Sequence, residues 1–187
     1  MPRRAQGGFT LVEMLITLLV VVILLTAGAP AFNDTIMNNR LVVGANSLAG
    51  MLASARAEAI ARRATVTVCG SSAGTTCDAA WSSGAIFFVD NDADGALDAD
   101  ETVLKHSAAS PGAVGVGLSG ATTVRYGSQG FATTGANSTF VLCDKRGAAY
   151  GKALTVSSTG RASVATDTDT IPDGIVDDAA GNNIVCP

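Results

Sequence analysis

The residues most suited to chemistry form an acidic segment, residues 90–101, which reads Asp-Asn-Asp-Ala-Asp-Gly-Ala-Leu-Asp-Ala-Asp-Glu. Its spacing fits the D-x-D-x-D-G-x5-E pattern of calcium-binding loops at every defined position. In such a loop, alternate carboxylates converge on one hard cation, the glycine permits a sharp turn, a backbone carbonyl adds an oxygen and the final glutamate closes the site. The candidate calcium ligands are Asp90, Asp92, Asp94, Ala96, Asp98 and Glu101.

An acidic hairpin turn is the alternative interpretation of this segment. Asp and Gly are common in turns of every kind, and the flanking residues 87–89 and 103–104 are typical of strands, so no helix-loop-helix hand is expected. Both interpretations stay open: calcium is a candidate ligand, and no cofactor is expected to be required. A second acidic cluster has looser spacing and is predicted to be a solvated loop; it comprises Asp167, Asp169, Asp173, Asp177 and Asp178.

Glu13 is a second group with potential chemistry, because it precedes a long apolar run. Residues 14–32 contain no charge and are long enough, as a helix, to cross a bilayer core of ~30 Å. Arg3 and Arg4 would keep the N-terminus in the cytoplasm by the positive-inside rule. A secretory signal peptide is the alternative, but its apolar region is usually only ~7–15 residues long. A lone acid within a membrane costs ~2.5–3.5 kcal/mol, so Glu13 needs a partner.

Cleavage between Gly8 and Phe9 would create that partner, since the new α-amino group can neutralise Glu13 of the same chain or of a neighbouring copy. Residues 8–13, Gly-Phe-Thr-Leu-Val-Glu, resemble the type III signal of type IV pilins and pseudopilins. The resemblance implies that a prepilin peptidase cuts after Gly8, methylates Phe9 and leaves the apolar helix uncut. It extends to Pro30, near the end of the apolar run, where the helices of this family are kinked. Glu13 and Pro30 are therefore the predicted assembly residues.

These groups require one long helix to carry them, predicted over residues 9–63. Its transmembrane or assembly half is residues 9–32, its amphipathic continuation is residues 33–63, and residues 1–8 form the leader. Apolar residues after the proline recur at alternating steps of four and three, as on one helix face. They are Leu41, Ala45, Leu48, Leu52, Ala55 and Ala59.

The remaining residues, 64–187, are predicted to form one β-rich domain. Short runs of Val, Phe, Thr and Tyr alternate with Gly, Ser and Asn clusters. The connections are too short for helices, so the sheets should be antiparallel. The predicted fold class is α+β, a long N-terminal helix packed on antiparallel β-sheet. Strands are predicted near residues 65–69, 85–89, 102–105, 113–118, 123–126, 139–143 and 153–157.

Four cysteines follow the apolar run, in a domain that would lie in the periplasm, where disulfides persist. Four thiols allow three connectivities. Pairing Cys69 with Cys77 and Cys143 with Cys186 is favoured, because Cys186 would otherwise sit on a loose tail. A zinc site is the alternative, but the chain has no Cys-x2-Cys spacing.

Several segments resemble, in order, motifs of the FimT/GspH family of minor pilins and pseudopilins. The resemblance implies a pilin-like subunit of the bacterial inner membrane, with one transmembrane pass and a periplasmic C-terminal domain. Such a subunit assembles with other minor and major pilins, or pseudopilins, to start or cap a filament. The motif order favours a FimT-like minor pilin, with an H-type pseudopilin of a type II secretion system as the alternative. The matching segments are residues 38–41, 53–60, 66–69, 88–90, 143–147 and 158–161.

A DNA-binding module at the pilus tip is the second alternative, because some FimT-like proteins bind DNA through a C-terminal Gly-Arg-x-Arg element. Residues 160–162 match its first three positions, but Ser163 stands where the second arginine should be. Loss of the two leader arginines also leaves ten basic against sixteen acidic side chains, which disfavours phosphate binding. The candidate DNA-binding residues are Lys145, Arg146, Lys152 and Arg161.

Composition excludes other classes of protein. With 48% apolar residues, 15% charged residues and a mean hydropathy of +0.35, the chain is too apolar and too weakly charged to be disordered. Its single histidine, His106, has no partner at a catalytic spacing, and neither a nucleophile elbow nor a phosphate-binding loop is present. The chain is therefore not expected to be an enzyme.

Overall fold

The computed structural model describes residues 8–109, 112, 114–170 and 172–187, apart from the side chains of residues 27–31. Except for Gly8, the predicted leader therefore lies outside the described residues. The chain divides into two compact units, Met1–Met37 and Asn38–Pro187. The second unit contains all of the β-structure and both acidic loops.

Helix α1 spans Leu11–Arg62, close to the predicted 9–63. Thr10 caps its N-terminus, because its side-chain oxygen accepts the backbone N–H of Glu13 at 3.2 Å. At the other end, Arg63 takes a left-handed conformation with φ of 52°, and the N–H of Ala64 donates to the carbonyl of Ala59 at 3.2 Å. This 6→1 bond is typical of a Schellman ending, and it turns the chain into the first strand.

The strands form two antiparallel sheets. Seven strands correspond to the seven predicted runs, and two three-residue strands, β6 and β9, were absent from the prediction. One sheet has the order β3-β2-β1-β5-β6 and the other has the order β4-β7-β8-β9. The strands are β1 (Val66–Gly70), β2 (Gly84–Val89), β3 (Val103–Ala108), β4 (Gly115–Ser119), β5 (Thr123–Tyr126), β6 (Ala132–Thr134), β7 (Ser138–Cys143), β8 (Lys152–Val156) and β9 (Ala162–Val164).

The main core lies between the amphipathic part of α1 and the inner faces of both sheets. Every apolar residue of the predicted helix face is buried, from Leu41 to Ala59, with exposures between 0 and 8%. From the sheets, alternate strand residues such as Val68, Phe87 and Phe140 enter this core, as the two-residue period of a strand requires. The predicted α+β fold, a helix packed on antiparallel β-sheets, is confirmed.

Each sheet also has an outer face that a loop covers. On the five-stranded sheet, Cys69, Ile86 and Phe88 are buried under a layer that includes Leu97 of the first acidic segment. On the four-stranded sheet, a comparable cluster lies under Ile175 and Val176 of the second acidic segment, residues 167–178. The buried members of this cluster are Val141, Cys143, Ala153 and Ile184. Both acidic segments are thus held against a sheet by apolar contacts.

Candidate functional site

The predicted processing residues lie at the start of α1. Gly8 and Phe9 precede the helix, and Phe9 is 85% exposed. Glu13 lies in the first turn, where the positive end of the helix dipole favours a carboxylate. Every large apolar side chain of residues 11–25 is exposed. A continuous apolar surface of this kind is typical of segments that pack against other helices or lipid.

In the part of the chain that the structure describes, no helix combines the length and the apolar character needed to cross a membrane. Pro30 belongs to α1, but its side chain lies outside the described residues. Membrane insertion, the kink at Pro30 and the roles of Gly8, Phe9 and Glu13 stay predictions.

The first acidic segment, residues 90–101, forms the connection between β2 and β3 and is the most concentrated polar site. One carboxylate oxygen each from Asp90, Asp92 and Asp94 lies within 4.8 Å of the others. The backbone N–H of Gly95, whose φ is +86°, donates to Asp90 Oδ2 at 3.1 Å. This bond folds the segment back over its first residue, so that the three carboxylates face a common point.

Asp90 is the buried member of this group, with only 1% of its surface exposed. Its Oδ2 accepts the Thr67 hydroxyl at 2.5 Å and lies 3.2 Å from Arg125 Nε. Its Oδ1 is buried and has no hydrogen-bond partner. A buried carboxylate oxygen without a partner is costly, and a cation held by the three carboxylates would satisfy it.

The remaining predicted calcium ligands, Asp98, Glu101 and Ala96, interact with other residues of the same segment. The charge of Asp94 is the largest of several influences that raise the pKa of Asp98, so the two carboxylates are near one another. Glu101 accepts the backbone N–H of Asn91 at 2.7 Å and that of Asp98 at 3.1 Å. Ala96 donates its N–H to Asp94 Oδ1 at 2.7 Å. The Glu101 carboxylate therefore closes the loop by accepting bonds from two backbone N–H groups of the segment. The direct ligation predicted for Asp98, Glu101 and the Ala96 carbonyl stays a prediction.

The floor of this site contains two residues that are absent from the sequence-based candidates. Thr67 on β1 and Arg125 on β5 are directly paired across the sheet, and both contact Asp90. Neither belongs to a motif, and the only signal in the sequence is a polar residue between apolar ones in each strand. Strand register, which brings residues 58 positions apart together, determines this contact.

All four cysteines are paired, in the predicted combination. The first disulfide joins Cys69 and Cys77 beyond β1, and the second disulfide joins Cys143 and Cys186, tying the C-terminal residues to the end of β7. The cysteines are therefore not free thiolates that a zinc site would need.

Arg146, one of the four DNA candidates, is engaged within the domain. Its Nη2 lies 2.7 Å from Asp144 Oδ2, and the side chains are only 11% and 7% exposed. Nη2 also donates to Asn38 Oδ1 at 2.8 Å, and the guanidinium lies 4.3 Å above the Tyr150 ring. Hydrogen bonding from Arg146 lowers the pKa of Asp144. These contacts give Arg146 a structural role.

The other three DNA candidates are distributed along β8 and its two turns. Lys145 is exposed in the turn before β8, and Lys152 is the first residue of that strand. Arg161 lies in the turn after β8, beyond Val156, and a strand of this length separates its ends by ~13 Å. These three candidates are thus spread out along the strand.

Comparison with known proteins identifies the relatives of this chain. Residues 44–160 match the family described as type II transport protein GspH, and residues 3–29 match the prokaryotic N-terminal methylation motif. A crystal structure of the type IV minor pilin FimU from Pseudomonas aeruginosa strain PAO1 is similar, with a TM-score of 0.57 and 22% identity over 67% of this chain and 88% of that chain. A second FimU crystal form gives a TM-score of 0.54 and 21% identity over 66% and 91%. The likeness to the two FimU structures is one of fold. No curated protein matches the chain.

Proposed function

Because the chain belongs to the GspH family of type IV pilin-like proteins, we propose that it is a FimT-like minor pilin, a structural subunit that helps to start or cap a type IV pilus. The observation that carries the proposal is the N-terminal methylation motif, joined to a helix that exposes every large apolar side chain of residues 11–25. The proposed role is structural rather than enzymatic, and the same family membership supports it.

In the proposed mechanism, prepilin peptidase cuts after Gly8 and methylates the new N-terminus at Phe9. The apolar part of α1 holds the subunit in the inner membrane, with residues 38–187 in the periplasm. On assembly, the apolar side chains exchange lipid for the helices of neighbouring pilins. Glu13 then neutralises an adjacent α-amino group, because an unpaired charge in a low-dielectric bundle is strongly unfavourable.

Substitution of Glu13 tests this mechanism. Glu13→Ala should abolish recovery of the subunit with sheared filaments while leaving its amount in the membrane unchanged. Glu58→Ala is the matched control, because Glu58 lies on the same helix and forms only an exposed ion pair with Arg62 at 2.7 Å, which contributes little. Equal recovery of Glu13→Ala and Glu58→Ala would contradict the mechanism. Mass spectrometry of the mature N-terminus should find methylated Phe9; any other terminus removes the basis of the proposal.

The alternative role is that of an H-type pseudopilin in a type II secretion system, favoured by the description of the matched family. The two roles differ in their mutant phenotype. Deletion of a minor pilin should reduce piliation and leave secreted enzymes at normal levels, whereas deletion of a pseudopilin should have the opposite effect.

We also propose that the first acidic segment binds calcium, which the buried, unpartnered Oδ1 of Asp90 supports. Isothermal titration of the full chain in detergent should show a calcium site of the first segment that is lost in Asp92→Asn/Asp94→Asn. The control is Asp100→Asn, an exposed acid of the same loop outside the three-carboxylate group. Equal binding by the double variant and the control would leave only the turn interpretation.

A further inference from the structure

The second acidic segment, residues 167–178, is described at every residue except 171; Asp169 and Asp173 are exposed, in line with the predicted solvated loop, but the segment also brings carboxylates together. One carboxylate oxygen each from Asp167, Asp169 and Asp173 lies within 4.8 Å of the others. The first acidic segment brings its three aspartates together to the same distance. Ile175 and Val176, which follow this group, pack against the outer face of the four-stranded sheet. The segment is thus a folded structure with a carboxylate cluster.

Its backbone repeats that of the first acidic segment with two residues inserted. The N–H of Gly174, whose φ is +83°, donates to Asp167 Oδ2 at 2.8 Å. The N–H of Ile175 donates to Asp173 Oδ1, also at 2.8 Å. Both bonds have direct equivalents in the first segment, at 3.1 and 2.7 Å. The looser spacing in the sequence therefore conceals the same fold.

Asp177 is the observation that points to a ligand. Only 2% of its surface is exposed, and its Oδ1 is buried without a hydrogen-bond partner. Its Oδ2 accepts both the backbone N–H and the hydroxyl of Thr168, each at 2.6 Å. Because Thr168 lies between Asp167 and Asp169, these bonds hold the Asp177 carboxylate beside the cluster. Consistent with this, the Asp177 charge contributes most to the raised pKa of Asp169.

The second segment lies in a part of the sequence that contains no positive side chain. Asp90 of the first segment has Arg125 at 3.2 Å, whereas the chain contains no Lys or Arg after Arg161. A buried ionised carboxylate without a compensating charge is strongly unfavourable. Oxygen ligands from flexible carboxylates are the donors that calcium prefers.

We propose that the second acidic segment binds a calcium-class divalent cation through Asp167, Asp169, Asp173 and the buried Asp177. The cation would hold this segment against the four-stranded sheet, next to the second disulfide. The proposal is independent of the role of the chain in a pilus and of binding in the first segment.

Calcium titration of the full chain in detergent tests the proposal. In the Asp92→Asn/Asp94→Asn background, which disables the first segment, we expect one remaining calcium site. Adding Asp169→Asn and Asp173→Asn, both exposed positions, should weaken that site at least tenfold. Asp178→Asn is the matched control. Asp178 Oδ1 accepts the backbone N–H groups of residues 180 and 182, and the side-chain oxygen of an asparagine can accept the same bonds. Absence of calcium binding in the background, or equal affinity in the variant and the control, would overturn the proposal.

Thermal unfolding of Asp177→Asn in the same background supplies a second test. Without calcium this variant should unfold at the same temperature as its parent or higher, because it removes an uncompensated buried charge. Calcium should raise the unfolding temperature of the parent and not that of the variant. Equal calcium-dependent shifts, or a variant that is less stable without calcium, would show that Asp177 has only a structural role and contradict the proposal.

Discussion

Gly160 lies where three elements of the domain meet, and its substitution should be unusually costly. Its φ is +77°, and a Cβ built there would collide with the carbonyl oxygen of Gly130 in the turn between β5 and β6. That carbonyl accepts a bond from Arg56 Nε of α1 at 2.8 Å. In the same junction, the N–H of Ala132 donates to the carbonyl of Ser158 at 3.1 Å. One added methyl group would therefore separate both sheets and the helix.

The expected cost of Gly160→Ala follows from these contacts. The left-handed conformation costs about 1–2 kcal/mol for an L-residue. Loss of the backbone bond costs about 1 kcal/mol, and loss of the charged Arg56 bond costs about 1.5–3 kcal/mol. We expect a decrease of about 5 kcal/mol in the free energy of unfolding, a large fraction of the ~5–15 kcal/mol of an ordinary domain.

Urea unfolding of the full chain in detergent, followed by the fluorescence of its single tryptophan, measures this decrease. Trp81 is buried with its ring centroid 4.8 Å from that of Phe140, so its emission reports the core. Gly147→Ala is the control: its φ is +85°, but no atom lies within 4 Å of the added Cβ. The control should lose only the conformational part, about 1–3 kcal/mol, because its ψ of −167° places Gly147 in a region nearly restricted to glycine. Equal losses of unfolding free energy in the two variants would contradict the prediction that the contacts around Gly160 add to the cost.

Three other predictions concern stability. Asp144→Asn should cost about 2 kcal/mol at pH 7. Because Arg146 lowers the pKa of Asp144, this stabilisation is fully present above the ordinary carboxyl pKa and is lost as the pH falls through the lowered pKa. The unfolding curves of the variant and the parent should therefore converge in acid. Removing the second disulfide should cost about 4 kcal/mol and removing the first about 2.6 kcal/mol, because the pairs are 43 and 8 residues apart; a reversed order in thermal unfolding would contradict this reasoning. Thr67→Val should cost about 2 kcal/mol by removing the hydroxyl that donates to buried Asp90, whereas Thr67→Ser should be close to the parent in urea unfolding.

Local periodicity explains which parts of the fold are predictable. The buried face of α1 from Leu41 to Ala59 follows from the 3.6-residue period alone, and the seven longer strands follow from runs of β-branched and aromatic residues. Strands β6 and β9 consist of Ala-Thr-Thr and Ala-Ser-Val, and only their pairing with β5 and β8 defines them. The division into two sheets likewise depends on long-range pairing that no local pattern records.

The acidic sites, too, contain parts that local sequence predicts and parts that depend on tertiary structure. The first segment is recognisable because its ligand spacing is local, whereas Thr67 and Arg125 reach Asp90 through strand register. The second segment escapes the pattern because two extra residues interrupt it. The burial of Asp177 depends on tertiary structure: it forms an isolated antiparallel bridge with Asn183 and follows two residues that pack on the sheet.

The arrangement of the two acidic segments has a common physical reason. A single helix covers the inner faces of both sheets, which leaves two outer faces for loops to cover. Among the described residues, the outer clusters contain three and four buried side chains. This is a small amount of apolar burial compared with the backbone entropy lost in ordering a loop of about twelve residues. Each cluster includes one disulfide, Cys69–Cys77 in one case and Cys143–Cys186 in the other. Asp90 is a buried member of the first acidic cluster and Asp177 is buried beside the second. A cation bound at each cluster would supply the stabilisation that apolar burial on the outer faces does not.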